Sequence, residues 1–115
     1  MDDPPQYTPT VQAGIKARSG KIWQDLAKVL ASNKDITILV EGHTDNVPIS
    51  NAAFPSNWHL SVARALNTAY YLVNKENLAA DKISIVGFSE YKPIETNETP
   101  AGRASNRRVD IVIIK

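Results

Sequence analysis

Three runs rich in β-branched residues, DITILVEG (35–42), KISIVGF (82–88) and RRVDIVII (107–114), punctuate a chain that elsewhere repeats its apolar residues at helical spacing. Such runs suit a pleated, half-buried surface and read as strands. In the first, Ile36, Ile38 and Val40 fall on one side of the pleat, which predicts a central strand. From Lys16 to Ser32, Ile22, Trp23, Leu26, Val29 and Leu30 mark one helical face; Val62, Ala63, Leu66, Tyr70 and Val73 mark another, ending at about Asn74. SEYKPIETNE reads as a loop, and Thr99 before Pro100 has the chemistry of an N-cap opening a short helix. Pro4, Pro5 and Pro9 make Asp2 to Thr10 a tail, or at most a short edge strand.

Alternating helix and strand predicts an α/β (α+β) two-layer sandwich, with two main helices on one face of a small mixed sheet and right-handed crossovers. With 115 residues, 43% of them apolar, the chain fits one core and has no room for a second. The expected division is residues 1–15 as an N-terminal tail or degenerate first strand, and residues 16–115 as the domain.

Thirteen Lys and Arg against twelve Asp and Glu leave a formal charge of +1, far from the basic excess that phosphate-backbone binding needs, so nucleic acid is not expected as a partner. The absence of cysteine excludes disulfides, catalytic thiols and thiolate metal sites. Apolar stretches are a few residues long, and Met1 leads into acidic, proline-rich DDPPQYTPT rather than a signal peptide. The chain reads as soluble, with any membrane attachment made through a segment absent from it.

The connector from His43 to Asn57 is long for a strand-to-helix link, where two to six residues are usual, and Pro48, Phe54, Pro55 and Trp58 favour order in it. Asp45 lies just past the strand and Arg64 about two turns into the next helix. A folded-back connector brings them to one crevice, either as a structural ion pair or as two charges that await a ligand's ammonium and carboxylate. Arg103, Arg107 and Arg108 precede the last strand, where alternation sends Arg107 and Arg108 to opposite faces. They read as a solvated edge with a salt bridge, or as one arginine bordering the crevice. His43, Asp45 and His59 lack metal-ligand spacing, so no metal is expected. No G-x-S-x-G elbow, P-loop or acid–base carboxylate pair occurs, so no enzyme, catalytic residue or cofactor is expected either. Trp23, Tyr70 and Tyr71 read as core or rim, and Trp58 as a brace for the connector.

VEGHTDN, SNWHLSVARA, ISIVGFSEYKPI and NETPAGRASNRRVDIVI, four motifs in order over Ile36 to Ile114, resemble the OmpA-like peptidoglycan-binding domain. NVPI and FPSNW are most similar to the periplasmic domains of flagellar stators; anchors of type VI secretion share much of the signature, and outer-membrane OmpA and Pal-type proteins are further relatives. The resemblance implies a β-α-β-α-β-β fold and noncovalent capture of the diaminopimelate of the stem peptide, anchoring a membrane complex to the wall. Asp45 matches the aspartate that meets the ligand's ammonium and Arg64 the arginine that meets its carboxylate. Thr44, Asn46, Asn57 and Leu60 match pocket-lining positions, and Arg107 an arginine near the border. It also implies the periplasm of a Gram-negative bacterium, with anchoring to the inner or outer membrane; homodimerisation is left open. Two departures stand out: YTPTVQAGIKARSG keeps only an echo of the usual first strand, and His59 stands where Glu is common. The rival of another class is a protein-interaction or dimerisation module with no wall ligand.

Overall fold

The computed structural model describes the backbone of residues 6–11, together with Lys28, Ser32 and residues 35–114. The described elements are β1 (Gln6–Val11), β2 (Thr37–Gly42), α1 (Asn57–Lys75), a 3-10 turn (Ala80–Lys82), β3 (Ile83–Gly87), α2 (Pro100–Asn106) and β4 (Arg108–Ile114). The strands form one mixed sheet in the order β1-β4-β2-β3. β2 runs parallel to β3 and antiparallel to β4, while β1 runs parallel to β4. This is the small mixed sheet expected, with β2 internal. The helix expected over residues 16–32, Trp23 included, lies outside the described residues except at Lys28 and Ser32, which are helical.

Alternation explains the core. Ile38 and Val40 of β2 and Val109 and Ile111 of β4 point to one face and are essentially fully buried with Ala65, Leu72 and Leu78. Each branched side chain so buried contributes about 1.5–3 kcal/mol. The proline-rich start forms β1 at the sheet's edge, where a strand containing Pro9 loses the least, because its second side needs no ladder partner.

α1 has the expected period but buries a different face. Val62, Leu66 and Tyr70 are 42%, 39% and 58% exposed, and the face against the sheet is Leu60, Ser61, Arg64, Ala65, Thr68 and Leu72. The reason is close approach. Gly42 and Gly87 are paired across β2 and β3, directly under the helix. A Cβ on Gly42 would overlap the Ser61 carbonyl, and one on Gly87 would stand 2.7 Å from the Val62 nitrogen. At that separation the small residues Ser61 and Ala65 are what fits over the glycines.

α2 begins as its sequence predicts, with Thr99 accepting from the Gly102 N–H at 3.0 Å and Pro100 in the first turn. Its last residue, Asn106, is fully buried. The Asn106 side chain accepts from the N–H groups of Ile94 and Glu95 and donates to the Glu95 carbonyl and Asn97 Oδ1, clamping the preceding loop.

Candidate ligand-binding site

β2 and β3 are parallel and their carboxyl ends open side by side, which is where α/β sheets place ligand crevices. The connectors leaving them are tied together: Thr44 N–H donates to the Ser89 carbonyl at 2.9 Å, and His43 N–H to the Arg108 carbonyl at 2.9 Å. Ser61, 0% exposed, completes the tie by accepting from Ser89 N–H and donating to the Trp58 carbonyl, both at 3.0 Å. Ser89 holds a left-handed backbone, φ 57°, that a β-branched residue would adopt only under strain.

Asp45 sits on this tied end and is buried. Its Oδ1 accepts from Val47 N–H at 3.0 Å, a local turn, and its Oδ2 from Arg107 Nη1 at 2.8 Å. Arg64 is equally buried, and its Nη1 donates to the carbonyl of His43 at 3.2 Å. The acid and the base expected to converge therefore do reach the same strand end. The Asp45 carboxylate, however, pairs with Arg107, one arginine of the 103–108 cluster. Arg108 points to the opposite sheet face, buried, and Arg103 donates to the Asn97 carbonyl.

Of the other expected lining residues, Thr44 is buried with its hydroxyl on the Asp45 carbonyl at 2.8 Å. Asn57, the first residue of α1, donates to the carbonyls of Val47 and Asp45 and so closes the connector onto the helix. Leu60 is buried, whereas Asn46 is exposed. His59 lies at the helix start with Nδ1 at 2.8 Å from the hydroxyl of the N-cap, Ser56. Trp58 is half-exposed with its ring 5.5 Å from that of Tyr91. Phe54, Trp58, Val62 and Leu66 line an open groove of about 440 Å³ on the outer side of α1.

Behind the crevice, on the sheet face away from the core, His43 is 2% exposed and stacked on Phe88 at 5.2 Å. Its Nε2 lies 3.7 Å from Glu41 and 3.6 Å from Asp110, residues paired across β2 and β4. Burial above all, then the positive charges of Arg108 and Lys92, push the His43 pKa down to about 3, so the ring is neutral. Arg108 lies among these groups, donating from Nε to Asp110 at 3.0 Å. Burial and then Asp110 raise the pKa of Glu41. Glu41, His43 and Asp110 bring ligand-type atoms within 4.8 Å of one another. The Arg108 guanidinium already supplies the positive charge there and opposes a second cation, and the trio reads as a buried polar network.

Sequence reasoning singled out Asp45, Arg64 and Arg107 but missed Ser61, Ser89, Asn106 and the Glu41–Asp110 pairing. The neighbouring glycines 42 and 87 were the available signal for Ser61, since they mark where a helix comes close to the sheet.

With this geometry the relatives can be placed. The sequence matches the OmpA family over residues 11–107, and the chain belongs to that family. It is 41% identical over 103 residues to motility protein B of Bacillus subtilis strain 168, covering 90% of this chain and 40% of that one. It is 39% identical over 93 residues to the peptidoglycan-binding protein ArfA of Mycobacterium tuberculosis, covering 81% and 27%. The chain thus spans less than half the length of these relatives. Among solved structures, the C-terminal domain of Helicobacter pylori MotB superposes with a TM-score of 0.77 at 23% identity, covering 100% of this chain and 87% of that one, a likeness of fold. The cell wall anchor of the T6SS from Pseudomonas aeruginosa superposes with a TM-score of 0.67 at 36% identity, covering 85% and 68%.

Proposed function

We propose that this domain binds peptidoglycan noncovalently, holding the zwitterionic end of a stem-peptide diaminopimelate between Asp45 and Arg64, and that it does no chemistry on the wall. The observation that carries the reading is the delivery of both buried side chains to the carboxyl end of β2, Asp45 from the connector and Arg64 through the His43 carbonyl. A buried carboxylate and a buried guanidinium at one crevice match an ammonium and a carboxylate on one ligand. Family membership and the peptidoglycan-binding name of a relative support the same ligand.

In the cell such a grip anchors a membrane complex to the wall, which locates the domain in the envelope, between membrane and wall. Similarity to motility protein B favours a flagellar stator, and similarity to the secretion-system anchor keeps that alternative beside it. Single-site affinity is modest, and the repeating wall supplies avidity. Lysine-type stem peptides lack the side-chain carboxylate and leave the Arg64 charge without its ligand partner, so they bind at least about tenfold more weakly. Titration with soluble diaminopimelate and lysine muropeptides tests this, and equal affinity for the two would overturn it.

A second reading, self-association or a protein partner, is favoured by the exposed apolar stripe of Trp58, Val62, Leu66 and Tyr70 on α1. Sedimentation of the pure domain with and without isolated sacculi separates the two.

A further inference from the structure

The carboxylate of Asp45 is engaged at both oxygens, by Val47 N–H and by Arg107. The two members of the ion pair differ in freedom: the Asp45 side chain is 10% exposed and that of Arg107 39%. Asp45 is fixed by its own turn. The backbone of Arg107 is pinned at the end of α2, with its N–H on the Arg103 carbonyl at 3.0 Å, so the mobile part is the guanidinium and its stem.

We propose that Arg107 is a resident stand-in for the ligand's ammonium and thereby sets which ligands the crevice accepts. The inference rests on the reading that the crevice takes the zwitterionic end of diaminopimelate. An ammonium can reach Asp45 Oδ2 only by displacing or sharing with the Arg107 guanidinium. That step trades one cation for another on the same carboxylate, so its net electrostatic gain is small. A plain amine gains little from it and leaves Arg107 without a counter-ion. A ligand that carries a carboxylate beside its ammonium offers the displaced guanidinium a new partner within reach of its tether, and planar, bidentate pairing suits arginine to that role. Selectivity for the zwitterion over the amine then arises from Arg107 as well as from Arg64, because the internal ion pair disfavours a ligand that brings an ammonium alone.

The test is titration of wild type, Arg107→Gln and Arg107→Lys with the diaminopimelate and lysine muropeptides, with circular dichroism melts of each protein. In Arg107→Gln no resident cation has to move, so the lysine peptide binds tighter than to wild type by about fivefold, the worth of a partly exposed ion pair. The diaminopimelate peptide does not gain, and the preference between the two falls by at least that factor. Arg107→Lys keeps a competing charge without the bidentate fork, and its preference lies between the other two. An unchanged preference in Arg107→Gln, or equal weakening of both ligands, overturns the proposal and leaves Arg107 a brace. If Arg107→Gln loses its melting transition, Arg107→Lys decides: a preference at wild-type level overturns, and a reduced one supports. Wild type that binds neither peptide overturns the wall reading itself, a result distinct from any pattern among the variants.

Discussion

Arg64 reaches across 21 residues of chain to hydrogen-bond the carbonyl of His43, two positions before Asp45. The arginine proposed to meet the ligand is therefore also a strut of the connector. Its removal leaves a buried carbonyl short of a charged donor, which costs about 1.5–3 kcal/mol. Arg64→Ala is expected to lose sacculus binding and to melt earlier, while Asp45→Asn, which keeps an oxygen for Val47 N–H, loses binding with a much smaller shift. Pull-down with sacculi beside thermal melts checks both; an Asp45→Asn protein that still sediments with the wall would remove Asp45 from the site.

Gly42 and Gly87 let α1 lie on the ends of β2 and β3 and put Ser61 between the two connectors. A new methyl at Gly42 would meet helix backbone, which cannot swing aside, and one at Gly87 would meet the Ser61 and Val62 side chains with the Val62 nitrogen 2.7 Å away behind them. Gly42→Ala and Gly87→Ala are each expected to cost about 2 kcal/mol or more, at the upper side of overpacking penalties. Urea unfolding measures the loss, and a methyl accepted at either position with no change in midpoint would refute the close approach.

His43 is held neutral while the unfolded chain's imidazole titrates near 6.5. Between 6.5 and about 3 the unfolded state takes up a proton that the native state refuses, so the His43 contribution is lost as pH falls through that window. The slope is at most about 1.4 kcal/mol per pH unit. Glu41 acts with the opposite sign: its folded pKa is raised, so its contribution is present at acid pH and is lost as pH rises through the folded value. Urea melts at about pH 7, 6 and 5 are expected to show wild type weakening on acidification, with a flatter response in His43→Gln. Parallel slopes in the two proteins would show that His43 is not the group responsible.

Strand β2, the Thr99–Pro100 helix start and strand β4 were legible because local chemistry and burial agree there: Ile36, Ile38 and Val40 alternate and are all buried. On α1 the two disagree. Its buried face carries Ser61, Arg64 and Thr68, placed by close packing and by the site, while Val62, Leu66 and Tyr70 supply the apolar rhythm on the exposed side. A period can be read from one helix, but the face that meets the sheet depends on Gly42 and Gly87, which are distant in sequence. The start of α1 was obscured for a different reason, since Ser56 caps it without the acidic residue that usually completes the signature. The meeting of Asp45 and Arg64 rested on resemblance as much as on spacing. The Asp45–Arg107 pair joins residues 62 apart and had no local signal.

The exposed side of α1 yields a prediction that separates rhythm from burial. Leu66 belongs to the apolar stripe yet is 39% exposed, whereas Leu72 is fully buried in the core. Leu72→Ala is expected to cost about 2–5 kcal/mol, the range for a buried leucine. Leu66→Gln in the isolated domain is expected to stay within about 0.5 kcal/mol of wild type, as surface substitutions do. Equal losses in urea unfolding would mean that the stripe is covered in solution, which sedimentation at rising protein concentration would then trace to self-association.

The first turn of α1 contains no acidic residue, and its third position is His59, whose N–H lies 3.4 Å from the hydroxyl of Ser56. A glutamate there can reach back to the Ser56 N–H, completing a capping box, and its charge faces the positive end of the helix dipole. His59→Glu is expected to stabilise the domain by about 0.5–1 kcal/mol, raising the melting temperature by a few degrees at neutral pH. The gain should shrink in high salt, where the dipole contribution is screened, and remain in part because the capping hydrogen bond is short-range. A lower melting temperature would mean that the contact of the imidazole with Ser56, at 2.8 Å, contributes more to the helix start than the box that replaces it.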